Sequence, residues 1–587
     1  MKILGYFHGV DPAACLVVDG EIVSFIEEER LIRHKHASGL FPIRAIEGCL
    51  KMGGLQVSDL DCFAMGWNAP HYTDGGMARF YEGLNAAHPP DEGTRAWQTR
   101  NLGLFSQGNL RATLEREMVR HFGVPPSQVP PLRFWPHHAS HAAAAFYGSR
   151  FEEALVLSVD GSGDEDCTTL WHGAGSKLVP LYRAPIPHSL GWVYAAITEY
   201  LGFEAYDGEY KVMGRAAYGR DNLDLREKLA QVVKPGPSGW DYVVDPRFTH
   251  HGPHTYSGRF TDHLVTLLGL PPRQGRIESI HEDLAFEVQR ALEEHVLRLL
   301  HHWQKATGLT KLAIGGGVGL NVKMNSKIFY ASLFDELFAF PVPSDSGTAL
   351  GAALAIEVAA SGVRPPPLEH LYLGPSFTDE DIEAQLRSCG HAYRKCSDIC
   401  EDTAALLANG KVVGWFQQGM EAGPRALGAR SILADPRSIE ARDRVNAAIK
   451  FREYWRPFCP SVTEEDAARF LKQGKAAPYM VLAFQATDEA NATVPAVVHV
   501  DGTMRVQTVS AQSNPRYHAL LQAFARRTGV PVVLNTSFNV KGEAVVCTPR
   551  DAFRTFWATG LDALAIGSFL VEKPVPPISA TPEEVLR

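Results

Sequence analysis

Pro136-His137-His138-Ala139-Ser140-His141, with Asp160 downstream in Val156-Leu157-Ser158-Val159-Asp160-Gly161-Ser162-Gly163, is the stretch on which the fold and the chemistry turn. The run Ala142 to Ala145 is a strong helix former and places the histidines in the first turns of a helix. Residues four apart share a helical face, so His137 and His141 point at the same spot while His138 turns off it and reads as structural. Two imidazoles and a carboxylate at the end of an apolar strand suit a borderline divalent cation, iron(II) or zinc. By spacing alone the same residues read equally well as a polar helix start beside a strand end.

Working outward, Ile3 to Tyr6, the turn around His8-Gly9-Val10-Asp11, Ala14 to Val18, Asp19-Gly20 and Ile22 to Ile26 form a strand, turn and hairpin. Hydrolases and kinases of the actin-like ATPase superfamily open in this way, with an Asp in the first turn facing phosphate or metal. Glu153 to Gly163 repeats the pattern, and its Asp-Gly-Ser-Gly turn offers a carboxylate and flexible backbone N–H groups. Two such units suggest duplicated ribonuclease-H-like halves. The charged run Glu27 to His36 between them reads as a solvated loop. Residues 70–130 read as a helical insertion.

Helical periodicity is clear from Leu284 to Leu300. The strand Lys311 to Ile314 then enters Gly315-Gly316-Gly317-Val318-Gly319-Leu320-Asn321, where glycines let backbone approach a nucleotide. Phe340-Pro341-Val342-Pro343-Ser344-Asp345-Ser346-Gly347 places another turn carboxylate ahead of a small-residue helix. Lys211, in Glu209-Tyr210-Lys211-Val212-Met213-Gly214, either meets an anion or stands exposed. Arg364-Pro365-Pro366-Pro367 reads as a stiff linker and divides the chain into domains 1–364 and 365–587.

Beyond the linker, Trp415 to Arg456 holds eight Lys and Arg against five acids, within a chain of formal net charge −9. Arginines at Gly and Pro turns, such as Gly423-Pro424-Arg425 and Tyr454-Trp455-Arg456-Pro457-Phe458, are placed to fork onto phosphate or carboxylate. Composition, 45% hydrophobic and 21% charged over 587 residues, describes a soluble globular chain of several domains. The acidic balance gives no reason to expect nucleic acid. No apolar run reaches membrane-spanning length and the start lacks a signal-peptide layout, so a cytoplasmic protein is expected. The nine scattered cysteines contain no Cys-x-x-Cys pair, which argues for reduced thiols and against a zinc ribbon.

As a set, these motifs resemble the O-carbamoyltransferases of nodulation and antibiotic tailoring, including those acting on tobramycin, cephamycin precursors and ansamycins. Gly423-Pro424-Arg425-Ala426-Leu427-Gly428-Ala429-Arg430-Ser431 and Leu534-Asn535-Thr536-Ser537-Phe538-Asn539 belong to the same set. The resemblance runs in order from residue 1 to about residue 570. It implies an α/β protein with an actin-like domain similar to tRNA threonylcarbamoyl transferase and a second, YrdC-like domain that makes carbamoyl adenylate.

The resemblance further implies iron(II), ahead of zinc or manganese, on His137, His141, Asp160 and Asp345. It implies ATP with Mg²⁺ near Gly315, Gly316, Gly317 and Asn321. Carbamoyl phosphate would bind Arg425, Arg430, Lys450, Arg456, Arg505 and Asn535. Lys35 and Lys211 would offset phosphate charge. Relatives carry His directly before the first-hairpin Asp; here that slot is Val10, leaving His8 and Asp11 as candidate bases. The acceptor is expected to be a small-molecule hydroxyl, and a homodimer is a family expectation. A hydrogenase-maturation enzyme would need Cys-x-x-Cys zinc fingers, a tRNA-modifying enzyme a basic face, and a sensor would not need both the ligand set and the arginines.

Overall fold

The computed structural model describes residues 1–250, 257–390, 392–453 and 455–573. Residues 251–256, His391, Tyr454 and residues 574–587 of the second expected domain lie outside them.

The opening hairpin pattern becomes a mixed sheet of β1 (Lys2–Phe7), β2 (Ala13–Val18), β3 (Glu21–Glu27), β4 (Cys62–Met65) and β5 (Leu132–Phe134), in the order β3-β2-β1-β4-β5. The first three strands form an antiparallel meander, and β4 and β5 add in parallel. A second sheet has β6 (Glu153–Gly163), β7 (Asp166–Ala174), β8 (Lys177–Pro185), β9 (Lys311–Gly315) and β10 (Glu336–Ala339). Its order, β10-β9-β6-β7-β8, is the same meander with the same two parallel additions. The two ribonuclease-H-like halves expected from the paired hairpins are therefore present, in an actin-like pairing.

What positions the site is the layer between the sheets. Helix α1 (His137–Gly148) follows β5 but packs on β6 and β9, while α3 (Ser346–Ser361) follows β10 and packs on β1, β2 and β4. Every residue of α1 is buried, and its alanine run carries no polar side chain into the closed interior. Helix α2 (Ser279–Thr307) buries the stripe Leu284, Val288, Leu292, Val296 and Leu299, as its 3.6-residue period requires. The insertion is helical, with helices at Gly76–Ala87, Glu92–Leu104 and Gln107–Phe122.

After residue 390 an eight-stranded sheet forms from β11 (Arg394–Lys395), β12 (Val413–Phe416), β13 (Arg430–Ala434), β14 (Cys459–Thr463), β15 (Gln507–Val509), β16 (Val532–Ser537), β17 (Ala563–Ile566) and β18 (Phe569–Glu572). The order is β11-β18-β17-β12-β13-β16-β14-β15. The Pro-rich stretch before it is not free: the Arg364 guanidinium lies 4.3 Å over the Phe146 ring and donates to the Phe146 and Ser149 carbonyls at 2.8 and 3.0 Å.

The charged run after β3 is not a solvated loop either. Glu27 accepts the Gly423 N–H at 2.5 Å, Arg30 donates to the Gly423 carbonyl at 2.7 Å, and Arg33 donates to the Ala544 carbonyl at 2.6 Å and faces Asp551 at 3.5 Å. These buried charges are matched across the chain, which is why a polar sequence can sit inside. All nine cysteines are free. Among the described residues no helix is long and apolar enough to cross a membrane.

Candidate functional site

Asp160 at the end of β6, the first turns of α1 and the N-terminus of α3 converge. His137 Nε2 and His141 Nε2 stand 3.0 Å apart, and Asp160 Oδ2 lies 3.3 and 3.0 Å from them. Asp345 Oδ1 is 3.6 Å from His137 Nε2 and 3.8 Å from His141 Nε2. The four donor atoms fall within 4.8 Å of one another.

The surrounding polar groups aim these atoms. The Gly66 carbonyl, 3.1 Å from His137 Nδ1, can only accept, so Nδ1 is spent on it and Nε2 is the ring atom turned to the carboxylates. Asp160 Oδ1 accepts the Gly161 and Gly317 N–H groups at 2.8 and 3.2 Å, which leaves Oδ2 for the histidines. Asp345 starts α3 yet makes no side-chain cap bond, so its carboxylate is not spent on the helix. Burial disfavours charge here, but Asp160 and Asp345 hold the His137 imidazole well above its ordinary value. Burial likewise opposes ionisation of Asp160, and His137 and His141 nevertheless keep it well below the carboxylate range. Two imidazoles and two carboxylates aimed at one point fit a divalent cation. His138 turns instead to Ser158 Oγ at 3.2 Å.

A cavity of about 970 Å³ is lined by two of these four residues, Asp160 and Asp345. Asp11, Lys35, His36 and Lys211 also line it, with Trp97 from the helical insertion. His36 places Nδ1 2.9 Å from Asp11 Oδ1 and Nε2 3.1 Å from Asp207 Oδ1, and Lys35 Nζ pairs with the same Asp207 oxygen at 2.5 Å. Against burial, Asp11 and Asp207 raise the His36 imidazole to about 9. His36 and Asp207 escaped the reading of the sequence because a His in a charged run and an Asp in a turn give no spacing signal.

The glycine turn is placed differently along its length. Gly317 and Asn321 line the cavity, while Gly315 ends β9 and Gly316 does not reach it. Gly316 has φ +82°, and a Cβ there would lie 2.3 Å from the Val159 carbonyl, so only glycine allows this crossing. The Asn321 side chain is already engaged, exchanging bonds with Gln289 at 2.8 and 3.0 Å and capping the helix Val322–Tyr330.

A second cavity, about 210 Å³, is lined by Arg425, Arg452, Arg456, Arg505 and Asn535. Among the described residues no carboxylate pairs with Arg425, Arg452 or Arg505, and the Arg456–Glu453 separation is 3.9 Å. Burial, and then the neighbouring Arg505, lowers the Arg425 guanidinium to about 9; burial and Arg456 bring Arg452 to about 9. The Arg425 Nε and the Asn535 Oδ1 are buried without a hydrogen-bond partner among the described residues. Packed cations and an open acceptor are the negative image of an anion that carries N–H groups. The two cavities share walls at Tyr210, Arg425 and Arg456, and the Arg456 guanidinium lies 4.7 Å over the Tyr210 ring.

Three expected residues are not where the sequence suggested. His8 packs edge-on against Phe41, with ring centroids 5.4 Å apart, and does not line the large cavity. Arg430 is wholly buried, 3.7 Å over the Phe416 ring, and donates to the Gln417 and Pro375 carbonyls at 2.6 and 3.0 Å. It sits on β13, whose alternation turns it inward. Lys450 lines the large cavity, not the arginine cavity, and its ammonium is spent on Ser537 and Asn539, with 2.8 Å to Asn539 Oδ1.

The family profile described as carbamoyltransferase N-terminus matches residues 2–354, and the one described as carbamoyltransferase C-terminus matches residues 404–573. The chain belongs to the carbamoyltransferase family. The carbamoyltransferase is 37% identical to nodulation protein NolNO of Sinorhizobium fredii, over 98% of this chain and 80% of that one. It is 42% identical to nodulation protein NolO of Bradyrhizobium diazoefficiens, over 74% of this chain and 78% of that one. HypF of T. kodakarensis matches 62% of this chain and 48% of its own at 15% identity and a TM-score of 0.31, a likeness too weak to decide anything.

Proposed function

We propose that this carbamoyltransferase is an ATP-dependent O-carbamoyltransferase that works in two joined chambers. The observation that carries the reading is the shared wall of Tyr210, Arg425 and Arg456 between an acid-free arginine cavity and a cavity ending in metal-type ligands.

In the small cavity Arg425, Arg452, Arg456 and Arg505 hold the phosphate of carbamoyl phosphate, and Asn535 Oδ1 accepts an N–H of the carbamoyl group. Arg452 Nε donates to Asn446 and Arg505 Nε to Cys459 Sγ, which aims the rest of each guanidinium fork at the ligand. Carbamate released there attacks the α-phosphorus of ATP and displaces pyrophosphate. Enclosure keeps the short-lived carbamate from water. The carbamoyl adenylate passes Tyr210 and Arg456 into the large cavity, where the Gly317 turn and Asn321 lie beside it and Lys35 and Lys211 offset phosphate charge.

A divalent cation, iron(II) ahead of zinc or manganese, held by His137, His141, Asp160 and Asp345 would supply Lewis-acid neutralisation of the adenylate's charge. An acceptor hydroxyl entering past Trp97 attacks the carbamoyl carbon and AMP leaves. Asp11 takes the hydroxyl proton: burial lifts its carboxyl above the usual range, which makes it a better base, and His36 fixes its orientation. Small hydroxyl compounds such as sugars or antibiotic alcohols suit this cavity.

The test is incubation with labelled carbamoyl phosphate, ATP and a panel of such alcohols. Pyrophosphate release that requires both co-substrates, and label transfer that also requires an alcohol, are expected. Label transfer without ATP would sink the two-step scheme.

A further inference from the structure

The arginine cavity contains a group that neither the arginines nor Asn535 account for. His499 lines it beside Arg425, Arg456 and Arg505. His499 Nδ1 lies 3.2 Å from Asp501 Oδ1, an atom that also accepts the Thr503 N–H at 3.2 Å and the Thr503 hydroxyl at 2.6 Å. Asp501 Oδ2 pairs with the Lys323 ammonium. A turn fixes the spacing, since His499 N–H donates to the Thr503 carbonyl and Gly502 N–H to the His499 carbonyl, both at 2.9 Å. A carboxylate facing Nδ1 can only accept, so Nδ1 carries the proton and Nε2 the lone pair. Nε2 is buried and has no hydrogen-bond partner among the described residues, on a side chain 10% exposed. A buried acceptor with no partner is disfavoured, and a bound water or substrate would satisfy it.

We propose that His499, positioned by Asp501, is the general base that directs water onto carbamoyl phosphate and so generates the carbamate. The assignment rests on the two-chamber reading above, which requires that carbamate be made beside the arginines. The water oxygen forms a bond to phosphorus, and the bond from phosphorus to the carbamoyl oxygen breaks. The water's proton goes to His499 Nε2 and from there to solvent. The products are carbamate and inorganic phosphate, both held by the arginines. A carboxylate behind one ring nitrogen and a reactive group before the other is the arrangement that makes imidazole an effective base. Lys323 keeps Asp501 from competing for that proton.

Full-length protein with carbamoyl phosphate and ATP, and no acceptor, separates the outcomes through phosphate and pyrophosphate release. His499→Gln is expected to slow phosphate release by ~10²- to 10⁴-fold, the usual contribution of general base catalysis. Ammonium carbamate, which supplies the intermediate directly, is expected to restore pyrophosphate release to near the wild-type rate. Asp501→Asn should show the same bypass with a smaller loss. Wild-type phosphate release from His499→Gln would overturn the assignment. So would loss of pyrophosphate release with both carbamoyl phosphate and carbamate, because that marks a structural role. A wild-type protein that releases no phosphate from carbamoyl phosphate overturns the two-chamber reading, and the base assignment with it.

Discussion

Gly351 on α3 faces the Ser140 carbonyl on α1 so closely that a Cβ would lie 1.9 Å from that oxygen. Ser140 and Gly351 thereby set the spacing of the two helices whose first turns hold His137, His141 and Asp345. Gly351→Ala is therefore expected to push α1 and α3 apart. Metal content measured after purification should fall well below one equivalent, and the thermal midpoint should drop. Wild-type metal content would show that the ligands do not depend on this contact.

Removing a ligand should divide the two half-reactions. His137→Ala and Asp160→Asn are expected to lose metal and to abolish carbamoyl transfer, while pyrophosphate release from ATP and carbamoyl phosphate persists. The arginine cavity lies on other elements, so its geometry does not rest on these side chains. Loss of both activities would contradict the division of labour. Chelation of wild-type protein should reproduce the same split.

Arg452 and Arg430 should part company in the same way. Arg452 lines the small cavity and pairs with no carboxylate among the described residues, and Arg452→Ala is expected to raise the half-saturating carbamoyl phosphate concentration about 10- to 100-fold, the worth of a charge-assisted hydrogen bond. Arg430→Ala strips the Gln417 and Gln418 carbonyls of the guanidinium donor and leaves the Pro375 carbonyl with the Met420 N–H alone. Its cost of several kcal/mol should appear in denaturant unfolding, because each orphaned buried carbonyl loses its hydrogen bond.

Stability should carry a signature of His36. Burial opposes its charge, yet Asp11 and Asp207 raise it from an ordinary 6.5 to about 9 in the folded protein. A raised folded value stabilises fully below about pH 6.5 and is lost as the pH climbs through about 9. The stability difference between wild type and His36→Gln should therefore shrink across that window, by up to about 3 kcal/mol. A difference that stays flat from pH 6 to 10 would remove the ion-pair account.

The alternation of strands, the 3.6-residue stripe of α2 and the alanine run of α1 are local periodicities. Both ribonuclease-H-like halves and the pairing of His137 with His141 therefore follow from the sequence by itself. Arg425 and Arg456 were legible too, since Gly and Pro mark turns and turns place arginines at surfaces of cavities. Arg430 was not, because only the pairing of β13 with β12 and β16 decides which way its side chain turns. Neither was the fate of the run Glu27 to His36, whose polarity is the same whether it meets water or the Gly423 turn. His36 and Asp207 lie far apart in sequence, as do Arg425, Arg452, His499 and Asn535 around the arginine cavity. Their meeting is a long-range property, set by how the sheets stack and cross, and no local pattern encodes it. The chain's own order placed Asp345 just ahead of a small-residue helix; only the packing of that helix against α1 brought its carboxylate to the two histidines.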